Sequence, residues 1–182
     1  RLGYAAIILE GESKTDDLYK VFINKDKVEI TPANEFKRMP NYDLAEKVKA
    51  QHGEKVAMMS IGPAGEMKLC ASSIAVTDRE FRPSRHAGRG GVGAVMGTKG
   101  IKVIILDDAG CGMRKPLDPE RFKAANKLFV QGLRGHAVTG EGLPAYGTNV
   151  LTNVINEAGA YPTYNFQKGQ YADASKISGE AQ

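Results

Sequence analysis

Cysteine is scarce. The 182 residues hold two, Cys70 and Cys111, far apart in the chain. A zinc or iron–sulfur site needs closely spaced thiolates, and this pair has no such spacing. The two read as reduced, packed thiols of a cytosolic protein. Long apolar runs are also lacking. None approaches the roughly 18 residues of a membrane helix, so no membrane span is expected. No secretory pattern opens the chain, and the expected location is cytoplasmic. Aromatic-interleaved basic runs and nucleic-acid motifs are missing. The net charge of +4 therefore reads as a solvated surface rather than a nucleic-acid footprint. The first residue is Arg1 rather than methionine, and the chain runs at once into Tyr4-Ala5-Ala6-Ile7-Ile8-Leu9. That run reads as a buried strand already under way, and the expectation is a piece of a longer chain.

What is present is an ordinary globular balance, 42 % hydrophobic and 25 % charged. The length suits one domain or parts of two. Leu18 to Ile23 and Val28 to Ile30 flank the polar turn Asn24-Lys25-Asp26-Lys27, the pattern of a hairpin. Asn41 reads as an N-cap for a helix carrying Leu44, Ala45 and Val48, closed by Gly53. Strands are expected over Lys55–Ile61, Lys68–Val76 and Ile101–Leu106, with a turn at Gly62–Glu66 and a short helix at Gly90–Met96. Gly110, Gly112 and Pro116 mark a linker. Beyond it Asp118 caps a helix carrying Phe122, Ala125, Leu128, Phe129 and Leu133. Gly135–Gly142 looks loose, and Val150, Leu151, Val154 and Ile155 form the stripe of a second helix ended by Gly159. The fold class is α+β: a β-rich portion over residues 1–112, then a helical portion over 113–182.

Chemistry concentrates in Arg85-His86-Ala87-Gly88-Arg89-Gly90-Gly91-Val92-Gly93-Ala94-Val95-Met96-Gly97. Glycines let a backbone approach a ligand closely. Amides at a helix start attract anions, and arginines add bidentate phosphate contacts. Small side chains would let the short helix pack close to a large flat cofactor. The stretch therefore points to a phosphate-bearing ligand. Gly88, Gly90 and Gly93 also match G-x-G-x-x-G, with Asp107 downstream. A dinucleotide fold, however, needs a buried strand running straight into the first glycine, and Asp78–Arg85 is too polar to be one. A structure with no strand entering Gly88 would remove that reading. A third reading is a crossover that merely packs tightly. Asp107, Asp108 and Glu157 read as structural. His52 sits at a helix end, where the dipole favours a cation. His136 lies in a polar loop, and Met58-Met59 reads as strand packing.

The stretch from His86 to Lys102 resembles the glycine-rich signature of the aldehyde ferredoxin oxidoreductases. Ser60-Ile61-Gly62-Pro63-Ala64-Gly65-Glu66 resembles a family segment one strand upstream. Gly142–Thr148, Asn156–Gly159, Tyr161-Pro162 with Asn165-Phe166-Gln167, and Ser178-Gly179-Glu180 resemble later blocks in the family's order. The resemblance implies a base domain that carries a tungsten (or molybdenum) bis-pterin, with helical domains closing over it. Residues 1–112 would be part of that pterin platform, and 113–182 the first helices of the all-α domain that follows. Arg85 and Arg89 would pair with phosphate oxygens, while His86 and Gly88 would offer mainly backbone groups. His86 departs from the small residue the family has there.

The implied activity is oxidation of aldehydes to carboxylic acids with ferredoxin as electron acceptor. The family's cysteine run for a [4Fe–4S] cluster would follow Gln182, so this piece alone is expected to be inactive. The implied partners are ferredoxin, an aldehyde, the remainder of the enzyme and, as an option, a second copy. A scaffold of the same fold without cofactor is the alternative.

Overall fold

A computed structural model describes residues 1–181. The chain divides into two compact units, Arg1–Arg114 and Lys115–Gln182. The architecture is α+β.

The first unit is built on a six-stranded mixed sheet. Its strands are β1 (Tyr19–Ile23), β2 (Val28–Pro32), β3 (Ala57–Ser60), β4 (Ile74–Val76), β5 (Arg85–Ala87) and β6 (Ile101–Leu106), in the order β2-β1-β6-β3-β4-β5. The hairpin β1–β2 forms as the turn chemistry requires. Asn24 Oδ1 accepts the amides of Asp26 and Lys27, both at 2.9 Å. Strand β6 runs parallel to β1 and antiparallel to β3, and is buried along nearly its whole length. A near-continuous apolar run such as Ile101–Leu106 belongs in the middle of a sheet covered on both faces.

Successive side chains alternate across the sheet, so two cores form. On one face Met58, Val103 and Ile105 pack with Leu44, Ala45 and Val48 of α1 (Asn41–His52). On the other, Val21, Ile23, Ile61 and Ile104 pack with Met96 of α3 (Val92–Thr98). Gly53 closes α1 at φ 80° and donates its amide to the Lys49 carbonyl at 2.8 Å.

Several expectations need correction. Residues 4–9 form no strand, and Ile8 is 81 % exposed. A strand needs a partner edge, and this segment has none among the described residues; Leu9 packs its side chain on the Ile101 core instead. Asn41 is the first helical residue rather than the cap. Pro40 holds the cap position, and Asn41 Oδ1 accepts Ser60 Oγ at 3.1 Å. The expected turn Gly62–Glu66 contains α2 (Pro63–Glu66), started by proline at its first position. The expected strand Lys68–Val76 shortens to β4, because the chain continues off α2 in tight turns through Leu69. Cys70 is exposed rather than packed, and Cys111 is half-buried.

The second unit contains α4 (Pro119–Gly135), whose cap Asp118 accepts the Arg121 amide at 2.9 Å. The stretch that reads as loose is a wide π-type turn, Ala137–Gly142, leading into α5 (Leu143–Tyr146). The next helix begins as a tight 3₁₀ turn, Gly147–Leu151, and continues as α6 (Thr152–Glu157). Tyr164, Asn165 and Phe166 are successive left-handed residues inside a Thr163–Lys168 bridge. No helix among the described residues is long and apolar enough to cross a membrane.

Candidate ligand-binding loop

The lead-in to the glycine-rich loop is organised by one carboxylate. Asp78 accepts the amides of Glu80 and Arg82 and the Arg82 Nε–H, each at 2.9 Å, and Ser84 Oγ–H at 3.2 Å. The amide bond from Arg82, with the guanidinium and the remaining donors, holds the Asp78 carboxyl down at about 2. The turn drives Phe81 into the α1-side core at φ 60°. It then delivers the chain into β5, an edge strand paired antiparallel to β4.

Alternation along β5 separates the candidate side chains. Arg85 and Ala87 pair with Val76 and Ile74, on the face that carries α3; His86 pairs with Ala75, on the opposite face. There His86 Nδ1 is 2.8 Å from Ser73 Oγ. Arg85, His86, Gly88 and Arg89 are all exposed. Arg82 is bound to Asp78 and Glu80. Arg85 and Arg89, by contrast, have no carboxylate partner within 4.0 Å among the described residues. Two guanidiniums are thus without a carboxylate partner among the described residues, one on β5 and one in the loop that follows it.

The glycines have two different surroundings. A Cβ on Gly88 or Gly90 would meet nothing within 4 Å. A Cβ on Gly91 would lie 2.5 Å from the Cys70 carbonyl oxygen, and one on Gly93 would lie 2.6 Å from that of Ser73. One on Gly97 would overlap the Gly65 carbonyl. The small residues of α3 therefore serve close packing against the chain's own backbone, whereas the expectation placed them against a cofactor. Only the tip, Gly88 to Gly90, has open space in front of it.

A strand, β5, does enter Gly88, but the polar stretch Asp78–Ser84 forms no buried strand. Strand β5 is three residues long and exposed, and its direction is opposite to that of β6. A dinucleotide fold requires the strands on either side of the glycine turn to be parallel and the first to be buried. This loop has neither feature.

The remaining candidates are structural. Asp108 pairs with Arg1 at 2.9 Å, and Asp107 accepts the Ala109 amide at 2.9 Å. His136 Nδ1 accepts the Val138 amide at 3.2 Å. His52 stacks on Phe22 with ring centroids 5.0 Å apart. Partial burial, then Lys20, lower its pKa, so the site disfavours the cation that helix position alone suggested. No group of three or more His, Cys, Asp or Glu that could hold a metal converges among the described residues.

Sequence reasoning missed the buried pair Lys102–Glu66, which joins β6 to the end of α2. The signal for it was a lysine in the middle of an otherwise apolar central strand.

Fold and loop together give an α+β unit with an exposed glycine tip flanked by two arginines that have no carboxylate partner among the described residues. Residues 1–108 match the family model for the aldehyde ferredoxin oxidoreductase N-terminal domain, and residues 124–182 match the model for domains 2 and 3. The chain belongs to the aldehyde ferredoxin oxidoreductase family. It is 41 % identical to the tungsten-containing aldehyde ferredoxin oxidoreductase of Pyrococcus horikoshii, over 98 % of this chain and 28 % of the relative. It is 30 % identical to the aliphatic sulfonate oxidoreductase WOR-like subunit of Pyrococcus furiosus, over 97 % of this chain and 28 % of that protein. The solved BamBC active-site complex of benzoyl coenzyme A reductase with 1,5-dienoyl-CoA is 29 % identical. It aligns with a TM-score of 0.57 over 68 % of this chain and 18 % of that one. The chain spans 28 % of the length of the curated relatives it matches.

Proposed function

We propose that this chain supplies part of a tungstopterin platform in an enzyme of its relatives' length, one that oxidises aldehydes to carboxylic acids and passes the electrons to ferredoxin. The observation that carries this reading is the pair of free guanidiniums, Arg85 and Arg89, beside the open glycine tip Gly88–Gly90. Its support from outside the chain is the set of relatives whose names carry tungsten, 39–41 % identical over 98 % of the chain.

The chemistry of the tip fits a pterin phosphate. Phosphate oxygens are planar-fork partners for guanidinium, and an unencumbered glycine backbone admits a bulky ring system at van der Waals distance. Arg85 and Arg89 bind phosphate oxygens, Gly88 lets the ligand approach the backbone, and His86 contributes its backbone along the edge strand. When bound, the tungsten (or molybdenum) bis-pterin supplies the two-electron redox step, while the chain orients and screens it. Residues 1–112 form part of the base domain and 113–182 begin the helical domain. A [4Fe–4S] cluster is held by residues outside this chain, and the enzyme is cytoplasmic. A small aldehyde and the rest of the enzyme are its partners; nucleic acid and membrane are not.

The test is elemental analysis of the anaerobically purified full-length protein, together with pterin fluorescence after oxidation. Tungsten or molybdenum with pterin is the expected result. A protein with neither overturns the reading and favours the cofactor-free scaffold.

A further inference from the structure

One charged pair is shut inside the protein. Lys102 is fully buried on β6, the central strand, and Glu66 is 8 % exposed in its side chain at the end of α2. A bulge aims the lysine. Tyr19 pairs with Ile101 and Lys20 with Val103, so Lys102 is the extra residue between them. Bulges of this kind turn a side chain out of its ordinary alternation. The Lys102 ammonium donates to the Glu66 carboxylate and, at 2.8 Å, to the Met39 carbonyl. The second Glu66 oxygen accepts the amide of Arg38 at 2.8 Å, at a turn where Arg38 has φ 62°. Three directed bonds thus tie the end of α2 to the bulge and to the turn before α1.

Helix α2 is what α3 rests on. The Gly65 carbonyl fills the space beside Gly97, and a Cβ on Gly65 would lie 3.2 Å from the Gly93 carbonyl. The chain just beyond α2 touches the start of α3, at Cys70 against Gly91 and at Ser72 and Ser73 against Gly93. These contacts carry the position of α2 as far as Gly91 and Gly93, directly after the tip Gly88–Gly90. Two apolar side chains would fill the same interior without desolvating charges. They would not fix direction, which the three hydrogen bonds do.

We propose that Lys102 and Glu66 are positioning residues for the cofactor loop, setting the seat of α2 and α3 and so the place from which Gly88 and Arg89 meet the ligand. This rests on the reading of the loop given above. It adds that a charged pair outside the loop decides cofactor retention.

The test uses the full-length protein, purified anaerobically, as wild type, R89A, K102M/E66Q and E66D. Tungsten and pterin per chain, the thermal midpoint, and amide hydrogen exchange over 88–93 are measured together. K102M/E66Q removes both charges but leaves an acceptor for the Arg38 amide. It is expected to exchange faster over 88–93 and to retain cofactor about tenfold less well, the effect typical of outer-shell partners. E66D keeps both charges on a shorter arm and loses cofactor to a smaller degree; it decides the matter if K102M/E66Q does not fold. Wild-type loop exchange and cofactor content in the folded variant overturn the positioning role, provided R89A has lost cofactor. Full cofactor content in R89A instead overturns the loop reading itself, and this inference with it.

Discussion

The two halves of the glycine-rich stretch look alike as sequence and differ as structure. Gly91, Gly93 and Gly97 are each pressed against backbone of the 65–73 segment. Gly88 and Gly90 face open space. One motif therefore does two jobs: its second half lets two short helices touch backbone to backbone, and its first half leaves room for something from outside the chain. The arginines divide in a similar way. Arg82 is held in the turn around Asp78, while Arg85 and Arg89 have no carboxylate partner among the described residues.

The sharpest way to break this comparison is to place the same methyl group in both halves. Gly97→Ala puts a Cβ onto a carbonyl that cannot withdraw without moving α2, and the expected loss of stability is about 3 kcal/mol or more. Gly88→Ala meets nothing and needs no left-handed backbone, so its stability stays within about 0.5 kcal/mol of wild type. Denaturant unfolding of the full-length protein reads both. Equal costs in the two variants would erase the distinction.

A smaller effect comes from the turn that presents the loop. Asp78 titrates at about 2 in the folded protein, below its ordinary value. Its ionised form therefore adds stability above the ordinary carboxylate pKa of about 4. That contribution is lost as pH falls through about 2. Asp78→Asn should flatten the acid limb of the stability profile and speed amide exchange over 79–85. An unchanged acid limb would show that the turn is held by its backbone alone.

The smallest expected effect is at His52. Burial lowers its pKa, so the unfolded chain takes up the proton first, and stability falls as pH drops through roughly 6.5. His52→Gln should remove that slope, as followed by thermal midpoints between pH 5 and 8 (the window of histidine titration). A slope that survives belongs to another group.

Local signals were legible in the sequence. The Asn24 turn, the Gly53 stop, the Asp118 cap and the apolar run of β6 each encode their element within a few residues, and each is found. The loop was legible as a motif for the same reason. What was not legible depends on contacts distant in sequence. Apolar character at residues 4–9 says nothing about whether a partner strand exists. Nothing in Ile101-Lys102-Val103 announces a bulge, because the extra residue is defined by the register with β1. Which glycines face the chain and which face outward is decided by the 65–73 segment, roughly twenty to thirty residues upstream. The separation of Arg85 from His86 follows from the pairing of β5 with β4, and the polar lead-in disguised that strand.

The most direct test of the central claim is metal and pterin content in the double variant R85A/R89A of the full-length, anaerobically purified protein, measured beside its thermal midpoint. The account predicts a wild-type midpoint with tungsten and pterin reduced about tenfold or more, because neither guanidinium holds the fold and both hold the ligand. Full cofactor content at a wild-type midpoint would contradict it.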